Sequence, residues 1–276
     1  MVVVGDILRY GYLSNALTAC LLSGILCGIV GTYVVCRRMV FLSGGITHAS
    51  FGGLGIALYA GINPIVGAMV FAILSSIGIE WASDKGRIRE DSAIGMIWGF
   101  GMAVGALFMS LRAGYTSGDL SSYMFGSIIT VTSSDTAVLA ILTLAVLLCT
   151  ILWWRQIMYI AFDREYARSQ GVRTKLVSYA MSVLLAVVIV LSIRVMGIVL
   201  LISLLTMPVA ISATFSKSYI RITIGAAITA SVASVAGVMA SYCFEVPSGP
   251  SIIFILTAVL VLVKTMTMLA AKRDAR

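Results

Sequence analysis

The longest uncharged stretch of the chain decides its fold. It runs from Met39 to Ile79 and reads MVFLSGGITHASFGGLGIALYAGINPIVGAMVFAILSSIGI. A helix that crosses a membrane needs about 20 apolar residues, so this stretch is long enough for two helices. Asn63-Pro64 favours a turn between them, because proline disfavours the helical conformation in the residue before it. The stretch therefore predicts a helical hairpin within a membrane.

The rest of the chain has the same character. Of its 276 residues, 60% are hydrophobic and 11% are charged, whereas a soluble domain carries roughly 25% charged residues. We therefore predict an all-α fold, a polytopic transmembrane helix bundle of eight or nine spans. The predicted spans cover about residues 16–36, 44–61, 64–81, 93–111, 136–154, 176–193, 196–215, 222–243 and 251–269.

Two segments do not fit this pattern of spans. Residues 1–15 mix charged and apolar residues and are predicted to lie at the membrane interface; they lack the basic start and apolar core of a signal peptide. Residues 16–276 would then form a single transmembrane domain. Within 112–135 the uncharged part is too short to cross, so a short or re-entrant helix is expected. Pro208, inside the seventh predicted span, is expected to kink it.

The basic residues set the expected orientation. Most of the 19 lysine and arginine residues fall in loops that lie on one side of the predicted bundle. Since such residues accumulate on the cytoplasmic side, we expect a cytoplasmic C-terminus and an external N-terminus. The net charge of +8 thus reflects topology, and no basic patch with interleaved aromatic residues indicates nucleic-acid binding. The loops are residues 37–38, 85–89, 155–175, 217–221 and 272–276.

One residue of the hairpin has distinctive chemistry. His48 is the only histidine of the chain, and small residues such as Gly44, Gly45 and Ala49 surround it. An ionisable side chain within a membrane span costs free energy and by default indicates a function, and imidazole is the commonest metal-binding side chain. Two interpretations stay open at this point: a metal ligand, or a histidine buried in the bundle and satisfied by a serine or a carbonyl.

Missing motifs exclude several classes of site. The chain has no G-x-x-x-x-G-K-[ST] loop, so it does not hydrolyse ATP by that route. It has neither an H-E-x-x-H helix nor a G-x-S-x-G turn, which argues against hydrolases of those types. The five cysteines show no metal-binding spacing and are expected to pack as small apolar residues. We predict no enzyme activity and no permanently bound cofactor.

Four stretches carry recognisable motifs. They are Arg37-Arg38-Met39 followed by Gly45-Ile46-Thr47-His48-Ala49, Arg89-Glu90-Asp91-Ser92-Ala93-Ile94-Gly95, Asp119-Leu120-Ser121-Ser122-Tyr123-Met124-Phe125-Gly126-Ser127, and Phe162-Asp163-Arg164-Glu165-Tyr166-Ala167-Arg168-Ser169-Gln170-Gly171-Val172. In this order they resemble the membrane permease of ATP-binding-cassette (ABC) importers for zinc, manganese and iron. Weaker matches at 197–208 and 247–250 extend the resemblance over nearly the whole chain. Each motif alone is weak, but their order is specific.

The resemblance implies the working parts of an importer. These are a divalent metal ion as substrate, a second copy of this chain, two cytosolic ABC ATPase subunits and an extracytoplasmic metal-binding protein, in the inner membrane of a bacterial cell. His48 matches the family's histidine on the second helix. The aspartate that the family carries four positions earlier is Gly44 here. Imidazole without carboxylate suits zinc or iron better than manganese. Thr47, Ser50 or backbone carbonyls at Gly44 and Gly45 are candidate oxygen donors.

Residues 163–172 resemble the family's coupling helix, the segment that sits in a groove of the ATPase. The residues that we assign to coupling are Asp163, Glu165, Ala167, Arg168 and Gly171. The local sequence agrees with a short helix, because acidic residues near its start and basic residues near its end match the helix dipole. Gly171 is placed to end it. An ordinary amphipathic loop helix is the alternative interpretation.

Other acidic residues lie near the predicted membrane surfaces. Glu80 and Asp84, at the inner end of the third span, are expected to pair with Lys85 or Arg87, with metal exit as an alternative role. Three more acidic residues are predicted to be external, where they could receive metal or dock the binding protein, against an ordinary role in solvated loops. They are Asp119, Asp135 and Glu245.

Two other kinds of transporter are alternatives. A secondary transporter driven by protons or sodium needs acidic residues within its spans, and the spans at 39–79, 92–111, 136–154 and 176–193 contain none. An ABC permease for a metal chelate needs a wide apolar path, whereas His48 favours a bare ion. A purely structural membrane subunit is the remaining alternative, and co-purification of a cassette ATPase would separate these classes.

Overall fold

The computed structural model describes residues 11–84, 88–112 and 128–274. Within these ranges the chain forms eleven α-helices, a 3-10 turn at Ile128–Thr130 and no strand. The helices are α1 (Gly11–Cys36), α2 (Val40–Ala60), α3 (Pro64–Asp84), α4 (Glu90–Ser110), α5 (Ser133–Leu152), α6 (Trp154–Phe162), α7 (Arg164–Ser169), α8 (Thr174–Met196), α9 (Ile198–Phe215), α10 (Tyr219–Phe244) and α11 (Ser248–Asp274).

Nine of the helices in the described part of the chain are long and apolar enough to cross a membrane. This number confirms the predicted all-α bundle of eight or nine spans. α1 begins at Gly11, so residues 11–15 of the predicted interfacial segment are helical, and its first ten residues lie outside the described part. Most of the predicted re-entrant segment, including the motif at 119–127, also lies outside it.

The predicted helical hairpin is present and its turn is built as expected. α2 ends at Gly61, whose φ of +70° is the left-handed conformation that glycine adopts without strain. The side chain of Asn63 accepts a hydrogen bond from the backbone N–H of Ile65 at 2.9 Å, and Pro64 is the first residue of α3. Proline is favoured there, because the first turn of a helix leaves its N–H groups unpaired.

The helices group into two compact units, and the first contains α1, α5 and α9 to α11. In this unit α1 approaches α10 so closely that a Cβ atom on Gly28 would lie 2.5 Å from the backbone nitrogen of Ala227. α10 and α11 meet similarly at Gly237 and Ile252. Pro208 lies inside α9; the predicted kink there stays a prediction, as does the single domain over 16–276.

The second unit contains α2 to α4 and α6 to α8, and glycines bring its first three helices into backbone contact. A Cβ atom on Gly101 of α4 would lie 2.6 Å from the Cα atom of Ala49 in α2, and one on Gly105 would lie 2.7 Å from the carbonyl oxygen of Phe51. On the other side of α2, a Cβ on Gly67 of α3 would lie 2.5 Å from that of Ala57. α2 is therefore packed tightly against both neighbours.

This contact predicts a large difference between two glycines of one helix. Gly101→Ala should destabilise the protein by about 1–3 kcal/mol, because the added methyl group overpacks the contact with α2. Gly99→Ala is the matched control, since a Cβ there meets nothing within 4 Å. The measurement is the thermal unfolding midpoint of the detergent-solubilised protein. Equal midpoints for both variants would show that α2 and α4 are not packed in this way.

Candidate functional site

The candidate metal ligand His48 is held by an aromatic side chain. Its imidazole lies on α2, is half-buried, and stacks on the indole of Trp98 from α4. The ring centroids are 4.4 Å apart and the planes differ by 4°. The two helices are in backbone contact one residue away, at Ala49 and Gly101. The backbone packing therefore places the two rings, and the stack fixes the plane of the imidazole.

The position of the missing family aspartate is open. Gly44 lies one helical turn before His48 and on the same face, and a Cβ atom there would meet nothing within 4 Å. Its neighbour Gly45 differs, because a Cβ there would lie 2.5 Å from the side chain of Ile94 in α4. The protein therefore has room for a longer side chain next to His48 at Gly44 but not at Gly45.

The two candidate oxygen donors lie away from the histidine. Thr47 is fully buried and its hydroxyl donates to the carbonyl of Ser43 at 2.6 Å. Ser50 is 5% exposed, donates to the carbonyl of Thr47 at 2.6 Å, and lines a separate cavity of about 440 Å³ with Asn63 and Arg194. Since neighbouring residues of a helix point in different directions, the structure does not bring these hydroxyls to the face of His48.

The metal-binding residue types are spread out in this chain. Across the three described ranges, no three histidine, cysteine, aspartate or glutamate side chains are grouped closely enough to hold a metal ion. Cys20 and Cys27 are buried in α1, and none of the cysteines forms a disulfide. His48 is thus a single candidate ligand, and it is partly exposed in the second unit.

The predicted coupling segment forms the short helix α7, which starts with a strong cap. Asp163 has an extended backbone, and its carboxylate accepts hydrogen bonds from the backbone N–H groups of Glu165 at 2.8 Å and Tyr166 at 3.1 Å. These bonds satisfy two of the donors that the start of a helix leaves unpaired. The side chains of Glu165 and Tyr166 are exposed.

The end of α7 is equally well defined. Gly171 has a φ of +76°, and the backbone N–H of Val172 donates to the carbonyl of Ala167 at 3.0 Å, the pattern of a glycine-terminated helix. Arg168 is exposed and its Nε donates to the hydroxyl of Thr174 at 3.3 Å. Ala167 is fully buried, so it holds α7 against its own chain, whereas Asp163, Glu165 and Arg168 face outward.

Comparison with known proteins identifies the family. The ABC 3 transport family matches residues 9–267. The chain belongs to the ABC 3 transport family. This membership confirms the predicted resemblance to ABC importer permeases, and it confirms that the chain is a transport permease subunit and not an enzyme. The family match extends over both units and includes α2 and α7.

Individual relatives of this family member are similar over most of its length. An uncharacterized membrane protein of Synechocystis is 32% identical over 90% of this chain and 88% of its own. The manganese transport system membrane protein MntC of Halalkalibacterium halodurans is 31% identical over 91% of this chain and 85% of its own. The structure of PsaBC from Streptococcus pneumoniae in complex with Fab has a TM-score of 0.84 and 26% identity, covering 95% of both chains.

The acidic residues of this permease have different surroundings. Glu80 is 9% exposed, and its carboxylate pairs with Arg164 of α7 at 2.6 Å, a partner that sequence reasoning did not name. Several of the residues discussed above lie outside the described part of the chain, namely the side chain of Asp84, its expected partners Lys85 and Arg87, and the whole of Asp119. Of the acidic residues predicted to be external, two are described. Asp135 accepts hydrogen bonds from the N–H and the hydroxyl of Thr132 at the start of α5. Glu245 follows the end of α10 and has a φ of +55°.

Two residues of the family member were missed by sequence reasoning. Trp98 lies within an apolar predicted span, and Arg164 lies within the predicted coupling segment, where no role of its own is assigned to it. Their partners lie 50 and 84 positions away along the chain, and no helical spacing indicates such a pair. Only the position of Arg164 could have indicated its role from the sequence. A cation at the first position of a helix opposes the helix dipole, so this arginine is expected to interact outside its own helix.

The cap of α7 predicts a local effect of one substitution. Asp163→Ala should cost about 1 kcal/mol of local stability, because the amides of Glu165 and Tyr166 lose their acceptor. Their hydrogen exchange should then be about five-fold faster. Asp163→Asn is the matched control and should keep the protection, since asparagine caps as well as aspartate. Wild-type protection in Asp163→Ala would contradict the capping geometry.

Proposed function

We propose that this chain is the permease of an ABC importer that moves a divalent transition metal ion into a bacterial cell. Two copies would form the path, two ABC ATPase subunits would drive it, and an extracytoplasmic binding protein would deliver the ion. His48 is the observation that carries the proposal. It is an imidazole fixed by Trp98 on an otherwise apolar span, in a chain of the ABC 3 transport family.

A second copy of the chain would complete the metal site. His48 is partly exposed, and a side chain at the buried Gly44 would extend into open space beside it, so this face of α2 can meet the same face of another copy. Two imidazoles facing each other across a two-fold axis would then hold the ion in transit. Such binding has to be weak, since an ion that enters must also leave.

The choice of metal depends on the atoms beside His48. Relatives named manganese transport system membrane proteins support manganese. A pair of imidazoles without carboxylates supports zinc or iron, because manganese prefers oxygen ligands. Backbone carbonyls of α2 are engaged within the helix, and the hydroxyls of Thr47 and Ser50 lie away from the histidine face. We therefore propose that zinc and iron are accepted at least as well as manganese.

The exposed face of α7 is the proposed contact with the ATPase. Asp163, Glu165 and Arg168 are exposed, and Ala167 and Gly171 fix the helix at its inner face and its end. A short helix with a strong cap at each end is pre-organised to fit a groove. With this contact, the loop that contains α6 and α7 would lie in the cytoplasm together with the C-terminus, and the N-terminus would lie outside.

The first test is loss of the imidazole. In the complex of this chain with the ATPase that co-purifies with it and with its binding protein, His48→Ala should lower metal uptake about ten-fold or more, because the path loses its ligand. Uptake of zinc, manganese and iron into proteoliposomes is measured. ATP hydrolysis stimulated by the binding protein is the control for assembly. Wild-type uptake in an assembled variant would rule out this role of His48.

The second test installs the family's carboxylate. Gly44→Asp should shift the preference of the complex toward manganese several-fold, because it adds an oxygen ligand on the face of His48 where there is room. Gly44→Asn is the matched control, with the same shape and no charge. Competition between manganese and zinc for uptake is the measurement. An unchanged preference in Gly44→Asp would show that this position does not border the ion.

A further inference from the structure

A partly buried ion pair connects the proposed coupling helix to the membrane helices. Nη2 of Arg164, the first residue of α7, donates to Glu80 of α3 at 2.6 Å and to the hydroxyl of Ser178 in α8 at 2.5 Å. The hydroxyl of Ser182, one turn further along α8, donates to the other oxygen of Glu80 at 3.4 Å. One guanidinium therefore ties α7 to two predicted spans within the second unit.

The environment of Glu80 makes this pair hard to replace. The side chain of Glu80 is 11% exposed and Ser178 and Ser182 are buried, whereas the side chain of Arg164 is 41% exposed. Removing the partner of a buried charge is strongly destabilising, because the charge remains without compensation. A displacement of the guanidinium should therefore move the carboxylate with it. In this way a movement of α7 would displace α3.

The stability of α7 itself does not explain why an arginine occupies position 164. A positive charge at the first position of a helix faces the positive end of the helix dipole, which is unfavourable. Asp163 already caps α7, so the helix needs no help from Arg164. The described contacts of Arg164 instead point away from α7, toward α3 and α8.

The mechanical connection continues from Glu80 to the candidate metal ligand. Glu80 lies on α3, and α3 is in backbone contact with α2 at Gly67 and Gly53. α2 carries His48. Because helices that touch through glycine backbones cannot slide without clashes, a displacement of α3 is passed to α2.

We propose that the Arg164–Glu80 ion pair transmits the movement of the coupling helix to α3, and through α3 to the helix that carries His48. The two residues are positioning residues: neither touches the metal ion or ATP. This inference rests on the proposed function, because it takes α7 as the contact with the ATPase. It adds the residues through which the movement leaves α7.

The test is the amount of metal transported for each ATP hydrolysed by the full complex in proteoliposomes. Glu80→Gln keeps the shape of the side chain and removes its charge, and should lower this ratio about five-fold or more while ATP hydrolysis continues. Arg164→Lys keeps the charge and should retain more of the ratio than Arg164→Gln. Arg155→Gln is the control, an exposed cation on the neighbouring helix α6, and should leave the ratio unchanged.

The double variant separates transmission from folding. Arg164→Gln leaves Glu80 unpaired and should reduce the yield of complex, whereas adding Glu80→Gln removes the unpaired charge and should restore the yield but not the ratio. Restored yield with a wild-type ratio would overturn the proposal, since the pair would then serve folding alone. A wild-type complex that transports none of the three metals would contradict the proposed function instead.

Discussion

The close backbone contact of α2 with α3 and α4 is the constraint on which the second unit depends. Within a membrane, lipid is as apolar as the helices, so burial of apolar side chains supplies little force to hold helices together. Close contact between backbones holds the helices together instead, and in this unit Gly67, Gly101 and Gly105 permit that contact. The contact at Gly101 sets the distance between α2 and α4, and that distance brings Trp98 onto His48.

The polar groups of the second unit follow from the same packing. Glu80 tolerates burial because Arg164 and Ser182 donate hydrogen bonds to its carboxylate. His48 is partly exposed, and its imidazole packs against the indole of Trp98 instead. α3 lies between these two features: it carries Glu80 and packs on the helix of His48. One unit therefore contains the candidate metal ligand, the proposed coupling helix and a physical connection between them.

Local features could be predicted from the sequence, and pairs distant along the chain could not. The uncharged run from Met39 to Ile79 predicted the hairpin of α2 and α3, because length and hydropathy are properties of a segment alone. The ends of α7 at Asp163 and Gly171 were predictable for the same reason. The stack of His48 on Trp98 and the pair of Glu80 with Arg164 depend on how helices pack, which no spacing within one helix encodes. The start of α1 at Gly11 was also missed, since charge near the N-terminus hid the helical segment that buries Leu13.

The proposed function requires that the imidazole of His48 binds the ion in transit. X-ray absorption spectroscopy at the zinc edge tests it directly, on the full complex loaded with zinc from its binding protein and trapped during turnover. We expect an imidazole scattering component in the wild-type complex that is lost in His48→Gln. Identical spectra for the two complexes would contradict it, because the transported ion would then never be coordinated by this histidine.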